Sequence, residues 1–275
     1  MPTECFAAST AAMPRASGGR RRGKLSIPSA LAVAGALSLA AASSPAGGQG
    51  SGRGFLFNRP VGSFSVHAGY AMPTAGSDVF SDATSQLTLS KSDFAGFAYG
   101  GDISYSVTPR VDLVFGGEFS SAKANSEVRD FVEQNDEPIR QATQFRRIPL
   151  SVSLKYYLAD RGRSIGQFAW IPSRYAPYVG LGGGAVWYRF RQNGDFVDFN
   201  TQDLEIFTAE LQSSGWAPLA QGMAGLDYTI GPWLSLTTEA RYGWAKARLD
   251  PNVFVDYDKI DLSGFAGTVG FRVRF

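Results

Sequence analysis

The feature that most constrains the fold is a two-residue alternation of apolar and polar side chains, which recurs from residue 60 to the C-terminus. The stretch 146–158 is the clearest example: Leu150, Val152 and Leu154 alternate with Ser151 and Ser153. Successive side chains of a β-strand point to opposite faces of the sheet, so this period predicts strands with one apolar and one polar face. Few segments have a helical period, and the sequence therefore predicts an all-β protein.

Turn-rich segments divide the alternating sequence into eight predicted strands. We place them at about 61–71, 94–107, 111–122, 146–158, 176–190, 217–230, 233–246 and 262–275. Most are longer than the roughly 5–6 residues usual in soluble sheets, and they match the roughly 9–11 tilted residues that cross a bilayer. The second and third strands, and the sixth and seventh, are joined by a few residues. The odd-to-even joins are mostly long and polar, as in outer-membrane barrels with both termini in the periplasm.

The two faces of these strands differ sharply in charge. In hydrocarbon every backbone polar group must be paired within the protein, so strands cross a membrane only as a closed barrel. Side chains fill the interior of an eight-stranded barrel, and buried charges must be paired there. The faces opposite the apolar ones hold five acidic and five basic residues, and we predict that these form a lumen ion-pair network that blocks ion flow: Asp102, Asp112, Glu118, Arg147, Lys155, Asp227, Glu239, Arg241, Arg272 and Arg274.

Aromatic residues are frequent near both ends of the predicted strands. Rings with an apolar body and a polar edge prefer the two membrane–water interfaces. One group falls near the predicted periplasmic ends: Tyr105, Tyr156, Tyr228, Trp233 and Phe275. The other falls near the predicted outer ends: Tyr70, Phe97, Phe119, Trp187, Tyr242 and Trp244. The distribution favours a transmembrane antiparallel up-and-down β-barrel over residues 60–275.

Residues 1–46 have the pattern of a cleaved signal peptide. A basic region at 15–24 precedes the apolar run 31–42, and Ser44, Pro45 and Ala46 offer small residues for cleavage. The apolar run is shorter than the roughly 20 residues that a membrane helix needs. Residues 47–59 form a short Gly-rich lead before the barrel. The sequence therefore predicts export to the outer membrane, and Met13 is an alternative start.

The apparent basicity of the chain belongs to this predicted signal. The signal carries five of the 26 Lys and Arg residues and one of the 24 Asp and Glu residues, which leaves the mature chain with a net charge of about −2. Nothing in that balance favours nucleic acid as a partner. The only cysteine, Cys5, also lies in the signal, so the mature chain has neither a disulfide nor thiolate chemistry.

No residue pattern indicates a catalytic, cofactor or metal site. His67 and Ser65 share a predicted lumen face, but Cα atoms two positions apart on a strand are separated by roughly 7 Å, a loose spacing for nucleophilic catalysis. The run 180–185 fits a dinucleotide fingerprint, yet more strand sequence follows it instead of a helix. The acidic loops lack calcium-loop spacing. We interpret them as solvated loop charge: Asp250, Asp256, Asp258 and Asp261 in the last loop, and Asp195, Asp198, Asp203, Glu205 and Glu210 in the third.

Two segments complicate the strand pattern and one loop suggests a helix. Pro149 removes a ladder donor inside the fourth strand, which predicts a bulge or a later start. The segment 159–175 is long for a periplasmic turn. In the third loop, Asn200 is placed to cap a short helix, whose shared face would lie over the barrel mouth: Leu204, Phe207 and Leu211.

The last strand carries a recognisable signature, 268–275 (TVGFRVRF). It resembles the C-terminal β-signal read by the outer-membrane insertion machinery, with the pattern positions Thr268, Gly270, Val273 and Phe275. The stretches 155–158 (KYYL) and 176–184 (APYVGLGGG) are similar to small outer-membrane β-barrel domains of the OmpA, OmpW and OmpX type. The resemblance covers roughly residues 60–275 and implies the fold and the location. It implies no single activity, because such domains serve as anchors, adhesins, narrow channels and, rarely, enzymes.

The functional prediction follows from the barrel and its loops. We expect a non-enzymatic integral outer-membrane protein with a structural or surface-interaction role through its long extracellular loops and with a lumen closed by ion pairs. A narrow channel for small solutes is the alternative, and a lipid-directed enzyme is less favoured. The expected partners are outer-membrane lipid and lipopolysaccharide, the insertion machinery through the last strand, and a loop ligand that the sequence does not identify. No cofactor is expected.

Overall fold

The computed structural model describes residues 54–132, 137–166, 169–197, 206–254, 257 and 259–275. The predicted signal peptide and the first part of the Gly-rich lead lie outside these residues. The strands are β1 (Leu56–Phe57), β2 (Gly62–Pro73), β3 (Gly96–Ser106), β4 (Val111–Val132), β5 (Pro138–Tyr157), β6 (Gly162–Ile165), β7 (Ala169–Pro172), β8 (Tyr175–Val197), β9 (Ile206–Thr229), β10 (Leu234–Arg248), β11 (Lys259–Asp261) and β12 (Gly264–Arg274). Helix α1 (Asp78–Gln86) and a 3-10 turn (Lys91–Phe94) lie between β2 and β3.

Eight of the strands form a closed antiparallel ring in the order β2, β3, β4, β5, β8, β9, β10 and β12. The last strand pairs with the first, with Val66 opposite Phe271, so the ring has no open edge. Short turns join β3 to β4 and β9 to β10 at the end that we call the turn end; helix α1 and the longest strands lie at the opposite loop end. The predicted fold class, an eight-stranded up-and-down barrel, is confirmed.

Large apolar side chains cover the outside of this ring. The outward-facing members of the alternation are exposed by about 40% or more in many cases, as in Phe64, Ile103 and Leu154. Further examples occur on every strand of the ring: Val66, Phe97, Tyr99, Tyr105, Phe115, Leu150, Val152, Tyr156, Val179, Leu181, Trp216, Trp244, Phe265, Val269 and Phe271. A monomer in water rarely exposes an apolar surface of this extent. The wall suits hydrocarbon, and the protein is a transmembrane barrel.

Helix α1 is a short element that packs on the barrel. Within the described ranges, no helix has the length and apolar character needed to cross a membrane. Helix α1 has nine residues and presents Val79, Phe80 and Ala83 to the protein interior.

Four strands are much longer than the sequence predicts. β4 continues to Val132, β5 begins at Pro138, and β8 and β9 extend the next hairpin beyond residues 190 and 217. The prediction that 123–145 and 191–216 are long polar loops between strands is wrong over most of their described residues. These extensions stand beyond the apolar wall, where water can solvate the outer face of each strand. The apolar–polar contrast that marks a membrane strand is therefore weak there.

The predicted helix in the third loop is also wrong over its described part. Phe207 and Leu211 lie in β9, which pairs with β8 across the hairpin, and the Phe207 ring stacks on Phe196 with 6.0 Å between centroids. Residues Asn200 and Leu204 lie outside the described residues. Pairing with β8 begins at Ile206, and this tertiary contact overrides the local helical pattern over the described residues.

Pro149 lies inside β5 without moving its start or its register. Regular pairing with β4 is interrupted between the pairs Gly117–Leu150 and Ser120–Arg147 and then resumes in the same register. Pro149 still pairs with Val186 on β8. The prediction of a bulge or a later start is therefore wrong, because the strand loses a donor to one neighbour only.

The segment 159–175 forms part of a small second sheet at the turn end. β7 pairs with β6 on one side and with the short β1 on the other. Trp170 on β7 is only 5% exposed. The segment is longer than a usual turn because it contains two strands of this three-stranded sheet. Arg161 immediately precedes β6 and lies close to the ring.

Candidate functional site

The barrel lumen holds most of the buried charge, and it has two ionic layers. The first layer lies at the turn end. Arg272 forms an ion pair with Asp227. The guanidinium of Arg272 also donates to the Tyr157 hydroxyl at 2.9 Å, and that hydroxyl donates to Asp227 at 3.0 Å. All three side chains are almost completely buried.

Tyr157 and Arg272 meet across the full width of the barrel. Tyr157 belongs to β5 and Arg272 to β12, which are four strands apart in either direction around the eight-stranded ring. Their hydrogen bond therefore joins opposite walls. A contact of this kind is possible only because side chains fill the interior of an eight-stranded barrel.

A second ion pair completes this layer from outside the ring. Arg161 follows β5 and reaches inward to Asp112, with 2.8 Å between Nη1 and Oδ2. Its guanidinium lies 4.5 Å from the centroid of the Tyr157 ring and also donates to the Thr108 carbonyl at 3.2 Å. Arg161 is absent from the predicted network because strand alternation assigns a face only to residues within strands.

Charged groups at the turn-end surface border this layer. Burial and the neighbouring positive charge of Arg161 lower the pKa of the Arg59 guanidinium. A hydrogen bond from Arg110 to Asp160 raises the pKa of the Arg110 guanidinium. Arg59 thus lies beside the Asp112–Arg161 pair, whereas Arg110 is paired with Asp160 across 2.8 Å.

The middle of the lumen contains the second ionic layer, centred on Glu239 of β10. Lys155 of β5 lies 3.1 Å from Glu239 Oε2, and Arg241 donates to Glu239 Oε1 at 2.6 Å. The Tyr178 hydroxyl donates to the same carboxylate at 2.8 Å, and the Tyr178 ring lies 4.1 Å below the Lys155 ammonium. One carboxylate thus receives two cations and a hydroxyl. Lys155 is 1% exposed.

The only histidine extends this layer towards β2 and β3. His67 Nε2 lies 3.7 Å from Glu118 Oε2, and His67 Nδ1 lies 3.6 Å from Asp102 Oδ2. Glu118 is also 3.8 Å from Arg241 Nη1. These separations are longer than hydrogen bonds, and atoms on His67, Asp102 and Glu118 are buried without a hydrogen-bond partner among the described residues. The group is an electrostatic cluster that packing holds slightly apart.

Ser65 does not form a catalytic arrangement with His67. The Ser65 side chain is 1% exposed, and its hydroxyl has no hydrogen-bond partner among the described residues. A nucleophilic serine needs a base within hydrogen-bond reach and a route for the substrate. Both are lacking at this position in the described part of the chain.

The structure places all ten predicted network residues on the inner side of the ring, but it pairs them unevenly. Arg272 with Asp227, and Lys155 and Arg241 with Glu239, are close pairs. Asp112 is paired with Arg161, whereas Asp102 and Glu118 lie 3.6 and 3.7 Å from the nitrogens of His67. The remaining two bases bind uncharged acceptors: Arg147 donates to the Leu262 carbonyl at 2.9 Å, and Arg274 donates to the Thr229 hydroxyl at 3.2 Å.

Glycines on the inner face make room for the large rings of the network. A Cβ on Gly225 would collide with the Tyr178 hydroxyl, and a Cβ on Gly100 would lie 2.9 Å from His67 Nε2. The fingerprint-like run 180–185 lies within β8, so no helix N-terminus is available to bind a phosphate.

Towards the loop end the polar interior gives way to an apolar core beneath helix α1. Phe80 of α1 is fully buried, and its ring contacts Phe145 of β5 and Phe190 of β8 with centroid distances of 5.4 and 5.6 Å. Phe94 contacts Phe80 from the 3-10 turn at 4.8 Å. We call the segment 74–95 the cap, because its helix covers this core.

The acidic loop residues serve structural contacts where they are described. Asp261 accepts hydrogen bonds from the backbone amides of Gly76 and Ser263, and Glu210 pairs with Arg191 at 2.5 Å. No group of three or more potential metal ligands occurs among the described residues. Asp256 and Asp258, and Asp198, Asp203 and Glu205, lie outside the described residues.

The residues of the predicted insertion signal lie on or directly after β12. Thr268 faces the lumen and Gly270 lies on the same face, while Val273 and Phe275 point outward and are 38% and 61% exposed. The apolar residues of the pattern therefore belong to the outer wall near the turn end.

Comparison with known proteins places the chain beside small outer-membrane barrels. No family model matches the sequence, and no curated protein matches it. Among solved structures, it is similar to the outer-membrane protein OprG from Pseudomonas aeruginosa at 17% identity, over 80% of this chain and 99% of that one, with a TM-score of 0.38. It is also similar to E. coli outer membrane protein W at 19% identity, over 79% and 100%, with a TM-score of 0.36.

A third similar structure is Ail, the attachment invasion locus protein of Yersinia pestis. The identity is 16%, the match covers 78% of this chain and 99% of that one, and the TM-score is 0.38. These proteins are of the class that the sequence itself resembles. The likeness concerns the fold.

Proposed function

We propose that this chain, a transmembrane barrel of the small outer-membrane type, is an integral outer-membrane protein with a structural or surface-interaction role and a lumen closed to ions. The observation that carries the closed lumen is the Tyr157–Arg272 hydrogen bond between opposite walls. The Lys155–Glu239–Arg241 cluster and the apolar core beneath the cap lie above it as two further barriers. An ion would have to break all three.

The parts of the chain available to partners are at the loop end. There the β4–β5 and β8–β9 hairpins continue beyond the apolar wall, and β5 pairs with β8 as far as Gln141 and Gly194. The four strands thus extend the barrel as a sheet whose outer face carries polar side chains such as Lys123 and Gln144. We assign the contact with an external ligand to this sheet.

Assembly into the membrane is part of the proposal. The outward Val273 and Phe275 form the apolar edge of the last strand near the turn end, where the insertion machinery would read them. A cleaved signal at residues 1–46 would bring the chain to the periplasm before insertion.

The closed lumen predicts that the purified protein conducts almost no current. We expect planar bilayers containing the folded mature protein to show no large, steady conductance, because buried ion pairs and rings cross the lumen at several levels. A general porin in the same bilayers provides the positive control, and a heat-dependent shift in gel mobility confirms that the sample is a folded barrel. Large, steady conductance of the folded sample would replace this proposal with the narrow channel.

A further inference from the structure

A cluster of basic residues lies on the outside of the barrel, immediately beyond the aromatic residues of the loop end. Arg146 of β5 is directly opposite Arg189 of β8 in the register of the sheet. Arg191 follows two residues later on the same face of β8. We call these three half-buried residues the arginine patch. Exposed Lys123 of β4 lies on the same outer face and is opposite Gln144, two residues before Arg146 on β5.

The arginine patch is electrostatically incomplete within the described chain. Like charges directly opposite on neighbouring strands repel and destabilise a sheet. Arg191 has a carboxylate partner in Glu210. For Arg146 and Arg189, the described residues supply aromatic rings and no carboxylate: Phe119 lies 6.0 Å from one guanidinium and Trp187 lies 5.2 Å from the other.

The hydrogen-bonding groups of the patch favour the binding of an anion. The Nε atoms of all three arginines are buried and have no hydrogen-bond partner among the described residues. A buried donor without a partner is costly, and a guanidinium donor is more costly than a neutral one. An anion between the two opposed arginines would relieve both the repulsion and the missing hydrogen bonds.

The depth of the patch indicates which anion can reach it. Trp187 and Trp216 form a cross-strand pair on the outer face just below Arg189, and Trp216 is 60% exposed. From Tyr175 to Trp187, strand rises of about 3.4 Å at a tilt of about 40° span roughly 30 Å, the thickness of the hydrocarbon core. The arginines therefore lie at the level of the lipid headgroups on the loop-end side.

We propose that the arginine patch binds the phosphate groups of a phosphorylated glycolipid in the outer leaflet. Guanidinium groups bind phosphate through paired, charge-assisted hydrogen bonds. Ile148 and Leu150, which continue down the outer face of β5, would contact the acyl chains of the same molecule. A phosphorylated lipid can contact both the arginine patch and the apolar residues below it, whereas a free phosphate ion can contact only the arginines. This inference rests on the proposed outer-membrane location.

The test is an equilibrium titration of the refolded mature protein in neutral detergent micelles with bisphosphorylated lipid A, followed by native mass spectrometry. The double variant Arg146→Gln/Arg189→Gln removes the opposed charges. The double variant Arg163→Gln/Arg174→Gln removes two exposed arginines at the turn end and serves as the matched control. We expect the patch variant to bind at least about tenfold more weakly, which corresponds to about 1.4 kcal/mol, and the control variant to bind like the wild type.

Two further arms identify the ligand chemistry without relying on a variant. Dephosphorylated lipid A should bind the wild type at least about tenfold more weakly than the phosphorylated form, and inorganic phosphate at equal concentration should leave lipid A bound. Equal binding of lipid A by the patch variant and wild type, equal binding of the dephosphorylated form, or displacement by phosphate would each overturn the inference. Gel mobility before and after heating is recorded for every sample, so failure to form a barrel is distinguished from failure to bind lipid A.

Discussion

Replacing Glu239 with Gln should lower the free energy of unfolding in lipid vesicles by about 3–5 kcal/mol, because it leaves two buried cations without their shared carboxylate. Lys155 and Arg241 both contact Glu239 in the wild type, and Lys155 is 1% exposed. Glutamine retains the shape and one acceptor but loses the charge. The measurement is reversible denaturant unfolding at neutral pH, monitored by the heat-sensitive gel mobility and by tryptophan fluorescence.

Two companion variants distinguish the loss of charge pairing from a general loss of packing. Lys155→Met combined with Glu239→Gln should be more stable than Glu239→Gln alone, because one of the unpaired cations is gone. Asp160→Asn breaks the exposed pair with Arg110 and should leave the unfolding curve unchanged. If Glu239→Gln unfolds at the same denaturant concentration as the wild type, the middle ionic layer does not stabilise the barrel.

Replacing Phe80 with Ala should loosen the cap by about 3–5 kcal/mol, because it removes a fully buried ring from the apolar core. The cap then opens about a hundred times more often, or more, at about 1.4 kcal/mol for each factor of ten. Trypsin cleavage after exposed Lys91 reports this opening directly, since cleavage follows the open population when closing is fast. We therefore expect a matching acceleration of cleavage at this one site.

Phe97→Ala provides the matched control for the cap. Phe97 lies just after the cap on the outer face of β3 and is 58% exposed, so its ring does not contribute to the apolar core. Cleavage after Lys91 should keep its wild-type rate in this variant. Cleavage of Phe80→Ala at the wild-type rate would show that the cap is held by contacts other than its buried phenylalanine.

The sequence was most informative where lipid lies on one side of a strand and the lumen on the other. β2, β3, β10 and β12 begin and end within about two residues of their predicted bounds. Beyond the apolar wall both faces of a strand carry polar residues, so in sequence the outer parts of β4 and β9 resemble polar loops. Helix α1 is missed for a related reason: only three of its nine residues are buried, and packing against the barrel stabilises it more than local propensity does.

For the lumen, alternation identified the inward faces but not the partners. Strand parity places Lys155 and Glu239 inside, yet their contact joins strands that are three apart in the ring, and this depends on strand tilt and register. Arg161 lies outside the strands of the ring, so the alternation of side chains does not predict which way its side chain points. The role of His67 between Asp102 and Glu118 likewise depends on the side-by-side packing of β2, β3 and β4.

Closure of the chain into a cylinder is the claim on which the remaining arguments depend, and cross-linking of the first and last strands tests it most directly. Val66 of β2 and Phe271 of β12 are register partners on the outer face, and the chain after residue 46 contains no cysteine. In refolded protein carrying Val66→Cys and Phe271→Cys, a short thiol cross-linker should join the two residues in nearly every molecule. Val66→Cys with Phe115→Cys, two strands apart, should remain unlinked. Cross-linking of the second pair in place of the first would contradict the closed barrel.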